Sequence, residues 1–272
     1  MYTLSFLMEY ALFELRAIET SSLEARWFIQ DILGVSLADI CFKRDMMVQK
    51  RDAEKFISAI EKRKSGIPYA YVVGKKEFYG YEFIVNEHTL IPRPETERMI
   101  DYILSKDCPV HYLDMCSGSG NIGIVVGKKF KIIPTLVDIS REAMDVAKKN
   151  GEKHQVRCNY IVSDLFEKVE GTFDVISCNP PYIPECRKEL LSKEVVDYEP
   201  ERALFSGREG LHCIEKFLRH IHDYLTPDGY AIIEIDDEHK NKVMELCRNF
   251  QLKSKFEKDY NDVDRFLIVK RS

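Results

Sequence analysis

The chain has 272 residues, 45% hydrophobic and 31% charged, with 40 Lys and Arg against 45 Asp and Glu for a net charge of −5. That composition excludes dominant disorder and suits one large domain or two smaller ones around a sizeable core. It disfavours generic tight binding to nucleic acid, since an acidic surface gains little by displacing phosphate counterions, and no apolar run reaches the roughly 20 residues that span a bilayer.

The first 65 residues read as helices. Leu4, Leu7, Met8, Ala11, Leu12 and Leu15 recur at three- and four-residue spacing, which puts them on one helical face. Glu9 and the lack of a basic segment before it lead us to expect no secretory signal. Ser21 and Glu24 have the spacing of a capping box, after which Trp27, Phe28 and Ile32 continue an apolar stripe as far as Gly34. A further helix over about Asp52–Lys64 turns Phe56, Ile57 and Ile60 inward. A small helical bundle, 1–65, is the expected result, with a docking role inferred from its position. Its charge run Glu61-Lys62-Arg63-Lys64 reads as a solvated helix end favoured by the helix dipole, or else as a contact for a partner.

Residues 66–90 change period. Gly66 and Pro68 break the helix, and Lys76-Glu77-Phe78-Tyr79 and Tyr81-Glu82-Phe83-Ile84-Val85 alternate around Gly80, as a β-hairpin linker would. The stiff segment Ile91-Pro92-Arg93-Pro94-Glu95-Thr96-Glu97 then leads into a helix over Met99–Leu104.

From residue 110 strands and helices alternate. Strands are expected at His111–Cys116, Thr135–Ile139, Asn159–Ser163, Phe173–Cys178 and Tyr230–Ile235, with helices at Asn121–Lys129, Arg141–Asn150 and Leu211–Tyr224. This is the pattern of an α/β fold, a mostly parallel sheet covered on both faces. A helix over Glu238–Phe250 precedes two strands, Lys253–Lys258 and Arg265–Val269, which a turn at Asn261-Asp262 joins as an antiparallel hairpin at the sheet edge. Residues 91–272 thus form one domain. The eight cysteines show no CxxC and no paired histidine motif, which implies reduced thiols, no metal site and a cytoplasmic protein. His212, His220 and His222, and the lysines near the end, carry no pattern beyond an ordinary surface or core.

The first motif that carries chemistry is Asp114-Met115-Cys116-Ser117-Gly118-Ser119-Gly120-Asn121-Ile122-Gly123, after a strand and opening a helix. Gly118 and Gly120 let the backbone turn tightly and approach a ligand. Asp138 ends the second strand, where a carboxylate can accept from both hydroxyls of a ribose. Asp164 ends the third, followed by Leu165 and Phe166, which are placed to flank an adenine ring. Together these describe a nucleoside pocket. The GxGxxG spacing of Gly118, Gly120 and Gly123 leaves NAD and S-adenosylmethionine both open.

The second motif is Asn179-Pro180-Pro181-Tyr182, just after the fourth strand. Two prolines remove two backbone donors and stiffen the loop, leaving its carbonyl oxygens free to accept. Asn179 adds a side-chain acceptor and Tyr182 a flat face for stacking. Such a loop suits a planar NH2 group held by its two protons, as in methylation of an amide or an exocyclic amine, with catalysis mainly by positioning.

These loops, with the Pro-Arg-Pro-Glu-Thr-Glu segment, resemble the release-factor glutamine N5-methyltransferases of the PrmC/HemK type. The likeness extends to Gly74-Lys75-Lys76-Glu77-Phe78-Tyr79-Gly80, Tyr198-Glu199-Pro200, Ser206-Gly207-Arg208-Glu209-Gly210-Leu211 and Asp264-Arg265-Phe266. It implies a Rossmann-like class I fold and methyl transfer from S-adenosylmethionine, leaving S-adenosylhomocysteine. The acceptor would be the glutamine of a Gly-Gly-Gln loop in a peptide chain release factor, with no nucleic acid or membrane required. By the same resemblance Cys116, Ser117, Gly118, Ser119 and Gly120 border the cofactor, Asp138 takes its ribose, and Asp164 and Leu165 its adenine. Asn179 sits between cofactor and substrate; its side-chain oxygen and the Pro180 carbonyl hold the substrate NH2, with Pro181 and Tyr182 against the amide, while Arg93 and Thr96 close over the methionine end. Cys116 departs from the family, which uses glycine there; it lacks a sequence-adjacent base that would make it a nucleophile. Alternatives are an adenine-N6 methyltransferase on DNA or RNA, glutamine methylation of a ribosomal protein, an NAD-dependent oxidoreductase and a binding module without catalysis. Oligomeric state has no signature in the sequence.

Overall fold

The computed structural model describes residues 2–272 and divides into two compact units. The first is the chain up to Lys75 together with Lys193–Tyr198. A short antiparallel pair, β1 (Tyr2–Thr3) and β2 (Met47–Val48), accompanies five helices: α1 (Leu4–Glu14), α2 (Ser21–Leu33), α3 (Leu37–Phe42), α4 (Lys50–Lys64) and α5 (Tyr69–Val73). Leu4, Leu7 and Ala11 of α1 pack with Ala25, Phe28 and Ile29 of α2 and Ala53, Phe56 and Ile60 of α4. Residues 25, 28, 29 and 32 share a helical face while 27 lies off it, so Ile29 is buried and Trp27 stays 39% exposed.

Two local expectations change in this unit. Thr20, not Ser21, precedes α2, and its hydroxyl donates to Glu24 Oε1 (2.9 Å), so the Ser21–Glu24 capping box does not form. Glu24 faces inward to Arg63, whose Nε lies 2.7 Å from Glu24 Oε2 and whose Nη2 lies 2.9 Å from Glu194 Oε2. Arg63 follows Phe56 and Ile60 at helical spacing, so this member of the charge run is buried, not solvated. Its pair with Glu194 lies within the unit although 131 residues separate the two in sequence.

The stretch 66–90 also differs from a simple linker. Tyr69–Val73 is helical, and the Tyr69 ring meets Phe28 edge-on at 4.6 Å within the bundle. The hairpin itself is β3 (Lys75–Phe78) and β4 (Tyr81–Ile84), turned by Tyr79 and Gly80 at φ 53° and 73°. Phe78 and Phe83 are fully buried in the core of the second unit.

That second unit is built on a seven-stranded sheet. Its strands are β5 (Tyr112–Met115), β6 (Thr135–Asp138), β7 (Asn159–Val162), β8 (Phe173–Cys178), β9 (Leu225–Glu234), β10 (Leu252–Lys258) and β11 (Asp264–Arg271). The order is β10-β11-β9-β8-β5-β6-β7, parallel from β9 to β7 and antiparallel through β11 and β10 at one edge. Side chains alternate across the strands. Leu113, Met115 and Ile176 face α11 (His212–Tyr224) and α12 (Lys240–Asn249), through Ile214, Phe217 and Val243. Tyr112, Val175 and Ile232 face α6 (Glu97–Leu104), α7 (Asn121–Phe130) and α8 (Arg141–His154), through Ile100, Val125 and Met144. Each such side chain, fully buried, contributes about 1.5–3 kcal/mol relative to exposure. Between β8 and α11 the chain forms short pieces that sequence periodicity did not mark: a 3-10 turn at Glu185–Leu190, α9 (Lys193–Tyr198) and α10 (Glu201–Leu204). Prolines 180, 181, 184 and 200 limit their length. The strand order reverses between β5 and β8, where an open α/β sheet leaves a crevice at its carboxyl edge.

Candidate active site

At that edge β5 ends in the glycine loop. The Gly118 N–H donates to Asp138 Oδ2 and the Ser140 N–H to Asp138 Oδ1, both at 2.8 Å, so one carboxylate at the end of β6 holds the loop. Burial raises the Asp138 pKa, opposed by these two N–H groups. Below the loop, Asp114 Oδ1 accepts from Ser177 (2.6 Å) and Oδ2 from the Gly123 N–H (2.9 Å). Burial pushes the Asp114 carboxyl up to about 7. From the other side Asn150 donates to the Ser119 carbonyl (2.9 Å) and exchanges two hydrogen bonds with the Ile84 backbone, tying the hairpin to the loop.

A cavity of about 270 Å³ opens above the loop. Cys116, Ser117, Gly118 and Ser119 line it, with Asp138, Asp164 and Leu165 from the next two strand ends and Asn179 and Pro181 from the proline loop. Arg93 and Thr96 close another side. Gly120 is not among the lining residues: a Cβ there would meet Ile124 Cδ1 at 2.9 Å and Leu136 Cδ2 at 3.0 Å. Its missing side chain therefore serves close helix-to-sheet packing, not ligand approach. Phe166 also turns away, stacked on Tyr224 at 4.3 Å in the core, so of the pair only Leu165 lines the cavity. Asp164 carries an ion pair to Lys216 (2.6 Å).

The proline loop is held from behind. Asn179 Nδ2 donates to Thr96 Oγ1 (3.3 Å), and the Thr96 hydroxyl donates to Glu234 Oε2 (2.7 Å). The Tyr182 hydroxyl donates to Glu234 Oε1 (3.1 Å), so Tyr182 is pinned by its phenol and, with the buried Pro180, does not line the cavity. Burial raises the pKa of both Glu234 and Tyr182. A Cβ on Gly210 (φ 74°) would collide with the Tyr182 carbonyl and lie 2.9 Å from Pro184 N, so only glycine lets the 206–211 segment brace this loop. Glu199 accepts from the Ile91 N–H (3.1 Å) and from Arg93 (2.5 Å), which anchors the proline-rich segment at the cavity wall. Periodicity did not reveal the roles of Glu199, Gly210 or Glu234. Glu234 had a signal, an acidic residue closing the apolar run Ala231-Ile232-Ile233, by the strand-end rule that singled out Asp138.

Cys116 adopts φ 57°, the left-handed region that a glycine occupies without strain. Its Sγ lies 4.0 Å from Cys178 Sγ, and the Cys178 contact and burial hold the Cys116 thiol protonated, against nucleophilic use. The eight cysteines are free thiols, and no cluster of metal-ligating side chains occurs among the described residues.

Residues 97–202 match the methyltransferase small domain family and residues 7–74 the PrmC N-terminal domain family. A release factor glutamine methyltransferase of Koribacter versatilis is 32% identical over 256 residues, 91% of this chain and 91% of that protein. The chain belongs to the release factor glutamine methyltransferase family. A second member, from Leptospira interrogans, is 32% identical over 94% of this chain and 93% of its own length. A bifunctional methyltransferase of Rickettsia typhi is 33% identical over 86% of the chain, which spans 50% of that longer protein. Among solved structures, a methyltransferase from Pyrococcus furiosus superposes with a TM-score of 0.55 at 20% identity, covering 77% of this chain and 98% of that one, which supports the fold. The chain is thus a class I methyltransferase with S-adenosylmethionine as its methyl donor. No helix among the described residues is long and apolar enough to cross a membrane.

Proposed function

We propose that this family member methylates the side-chain amide nitrogen (N5) of the glutamine in the Gly-Gly-Gln motif of peptide chain release factors, in the cytoplasm. The observation that carries the reading is Asn179, at the cavity wall with its NH2 bonded backward to Thr96, which leaves its carbonyl oxygen as a free acceptor. An amide NH2 that gave one proton to Asn179 Oδ1 and the other to the carbonyl of Pro180, a residue otherwise buried off the cavity, would have its plane fixed and its nitrogen face presented to the cavity. Both bonds also draw electron density onto that nitrogen, and they strengthen as it gains positive charge.

The donor cavity suits S-adenosylmethionine. Each Asp138 oxygen accepts one backbone N–H and keeps a second lone pair, enough for a ribose diol. Cys116 to Ser119 would border the nucleoside, and Asp164 and Leu165 its base. Gly118 has nothing within 4 Å of a would-be Cβ, so the loop is open on its ligand side. S-adenosylmethionine supplies an electrophilic methyl group on a sulfonium centre. The chain's own contribution is orientation and exclusion of water, with the surplus amide proton released after transfer. Arg93 and Thr96 would enclose the methionine end, and the helical bundle, matching the PrmC N-terminal domain, would dock the release factor.

The test is incubation with methyl-labelled S-adenosylmethionine and four acceptors: release factor, ribosomal protein, DNA and rRNA. Label is expected on the release-factor glutamine; label only on nucleic acid would overturn the reading in favour of adenine-N6 chemistry.

A further inference from the structure

Thr96 is 1% exposed and Glu234 2% exposed, so neither reaches bulk solvent for a substitute partner. The Thr96 hydroxyl has a single proton, and it faces two candidate acceptors: Glu234 Oε2 at 2.7 Å and the Asn179 side chain at 3.3 Å. The carboxylate oxygen is nearer and the stronger acceptor, so it takes the proton. The Thr96 oxygen is then left only as an acceptor, and Asn179 can meet it only with Nδ2. The other Glu234 oxygen accepts from Tyr182; burial raises the Glu234 pKa, and the Thr96 and Tyr182 hydroxyls and the positive charge of Arg265, half-buried on β11, oppose that rise.

We infer that Glu234 is a positioning residue for methyl transfer: through Thr96 it sets the direction of a hydrogen-bond chain that turns the Asn179 carbonyl oxygen, not its NH2, toward the cavity. With the chain reversed, Asn179 would turn its own NH2 protons toward a substrate NH2 that only donates, and the methyl acceptor would be repelled. This inference rests on the reading that Asn179 receives a substrate NH2, and it deepens that reading by naming what sets the polarity of the site. It also gives Arg265, in the late Asp264-Arg265-Phe266 segment, a place in the same charge arrangement.

The variants are Thr96→Val, which keeps shape and loses the hydroxyl, Thr96→Ser, which restores it, and Glu234→Gln, which lets an amide donate back to Thr96. Thr96→Val and Glu234→Gln should each lower kcat at least about tenfold, and Glu234→Gln, whose side chain does not line the cavity, should keep the S-adenosylmethionine Kd within about threefold of wild type. Thr96→Ser should recover most of the loss. The double variant should fall little below the worse single one, because both act through Asn179. In parallel, the Asn179 side-chain NH2 resonances of 15N-labelled free enzyme, assigned by their loss in Asn179→Asp, should shift in Thr96→Val and Glu234→Gln and hold in Thr96→Ser. Unmoved resonances, or a kcat loss in Glu234→Gln matched by an equal loss of cofactor affinity and melting temperature, overturn the inference. Resonances that move as expected in an enzyme that methylates no release factor uphold the chain and overturn the substrate reading instead.

Discussion

The carboxylate of Asp114 and the backbone N–H of Gly123 meet at 2.9 Å across the strand-to-helix turn. This contact joins the first residue of the glycine motif to the last, and Ser177 adds β8 to the same carboxylate at 2.6 Å. The loop that borders the donor cavity is therefore braced from within the core by a buried acid.

Asp114 should make stability depend on pH. Its folded pKa of about 7 stands above the ordinary 3.8, so between these values the folded protein binds more protons than the unfolded chain. Its contribution is complete below the lower value and is lost as pH rises through the upper one. Asp138 and Glu234, also raised, act in the same direction. Urea unfolding at pH 5 and pH 8 should show wild type less stable at pH 8 by more than about 1 kcal/mol, and Asp114→Asn should flatten part of that difference. A wild-type protein whose stability rises across this window would contradict the assignment.

Gly123→Ala should destabilise the protein by about 1–3 kcal/mol, as overpacking does. Its Cβ would sit 3.0 Å from Asp114 Oδ2 and 3.0 Å from Leu136 Cδ1, both held in the core. Thermal unfolding checks this, and an unchanged melting temperature would show that the turn yields freely.

Asn179→Ala and Asp138→Ala should separate chemistry from donor binding. The first should cut kcat by about a hundredfold or more while the S-adenosylmethionine Kd stays within about threefold. The second should weaken donor binding by about tenfold or more, as expected for loss of charge-assisted hydrogen bonds. Isothermal titration with labelled-methyl turnover reads both; wild-type-like turnover in Asn179→Ala removes its proposed role.

Cys116 should tolerate glycine better than a β-branched residue. At φ 57°, Cys116→Val should cost about 2 kcal/mol, and Cys116→Gly should stay within about 1 kcal/mol of wild type. Equal stability of the two variants in urea would show that packing against Cys178, rather than the backbone, governs the position.

Arg63→Ala should destabilise the helical bundle by about 3 kcal/mol, since it leaves Glu24 buried without its charged partner and with only the Thr20 hydroxyl bonded to it. Replacing Glu194, 37% exposed, should cost about 1 kcal/mol or less. Melting temperatures of the two variants decide whether the buried pair or the outer one matters.

Several features were legible in the chain because they are local. The alternation of strand and helix, the left-handed glycines of the loop and the stiff Asn-Pro-Pro-Tyr depend on residues within a few positions of one another, so spacing alone reports them. The strand-end acids followed the same logic, and Asp138, Asp164 and Asn179 converge on one cavity.

Other features depend on which distant segments meet, and there composition is silent. Gly118 and Gly120 are alike in sequence, yet one opens to the cavity and the other is pressed against Ile124 and Leu136. Phe166 follows Leu165 but is drawn into the core by Tyr224, 58 residues away.

Composition, acidic and amply hydrophobic, determined a well-packed chain with little pull toward phosphate, and the local motifs determined a nucleoside pocket beside a stiff loop suited to a planar NH2, with the methyltransferase class implied by family resemblance. Tertiary structure decided that Arg63 is buried rather than solvated, that Tyr182 is pinned rather than stacked in the cavity, and that Glu234 stands behind Asn179. The reason is range. A turn or a helix face is specified by neighbours in sequence, whereas the direction of a hydrogen bond depends on partners that only the packed sheet brings within hydrogen-bonding reach.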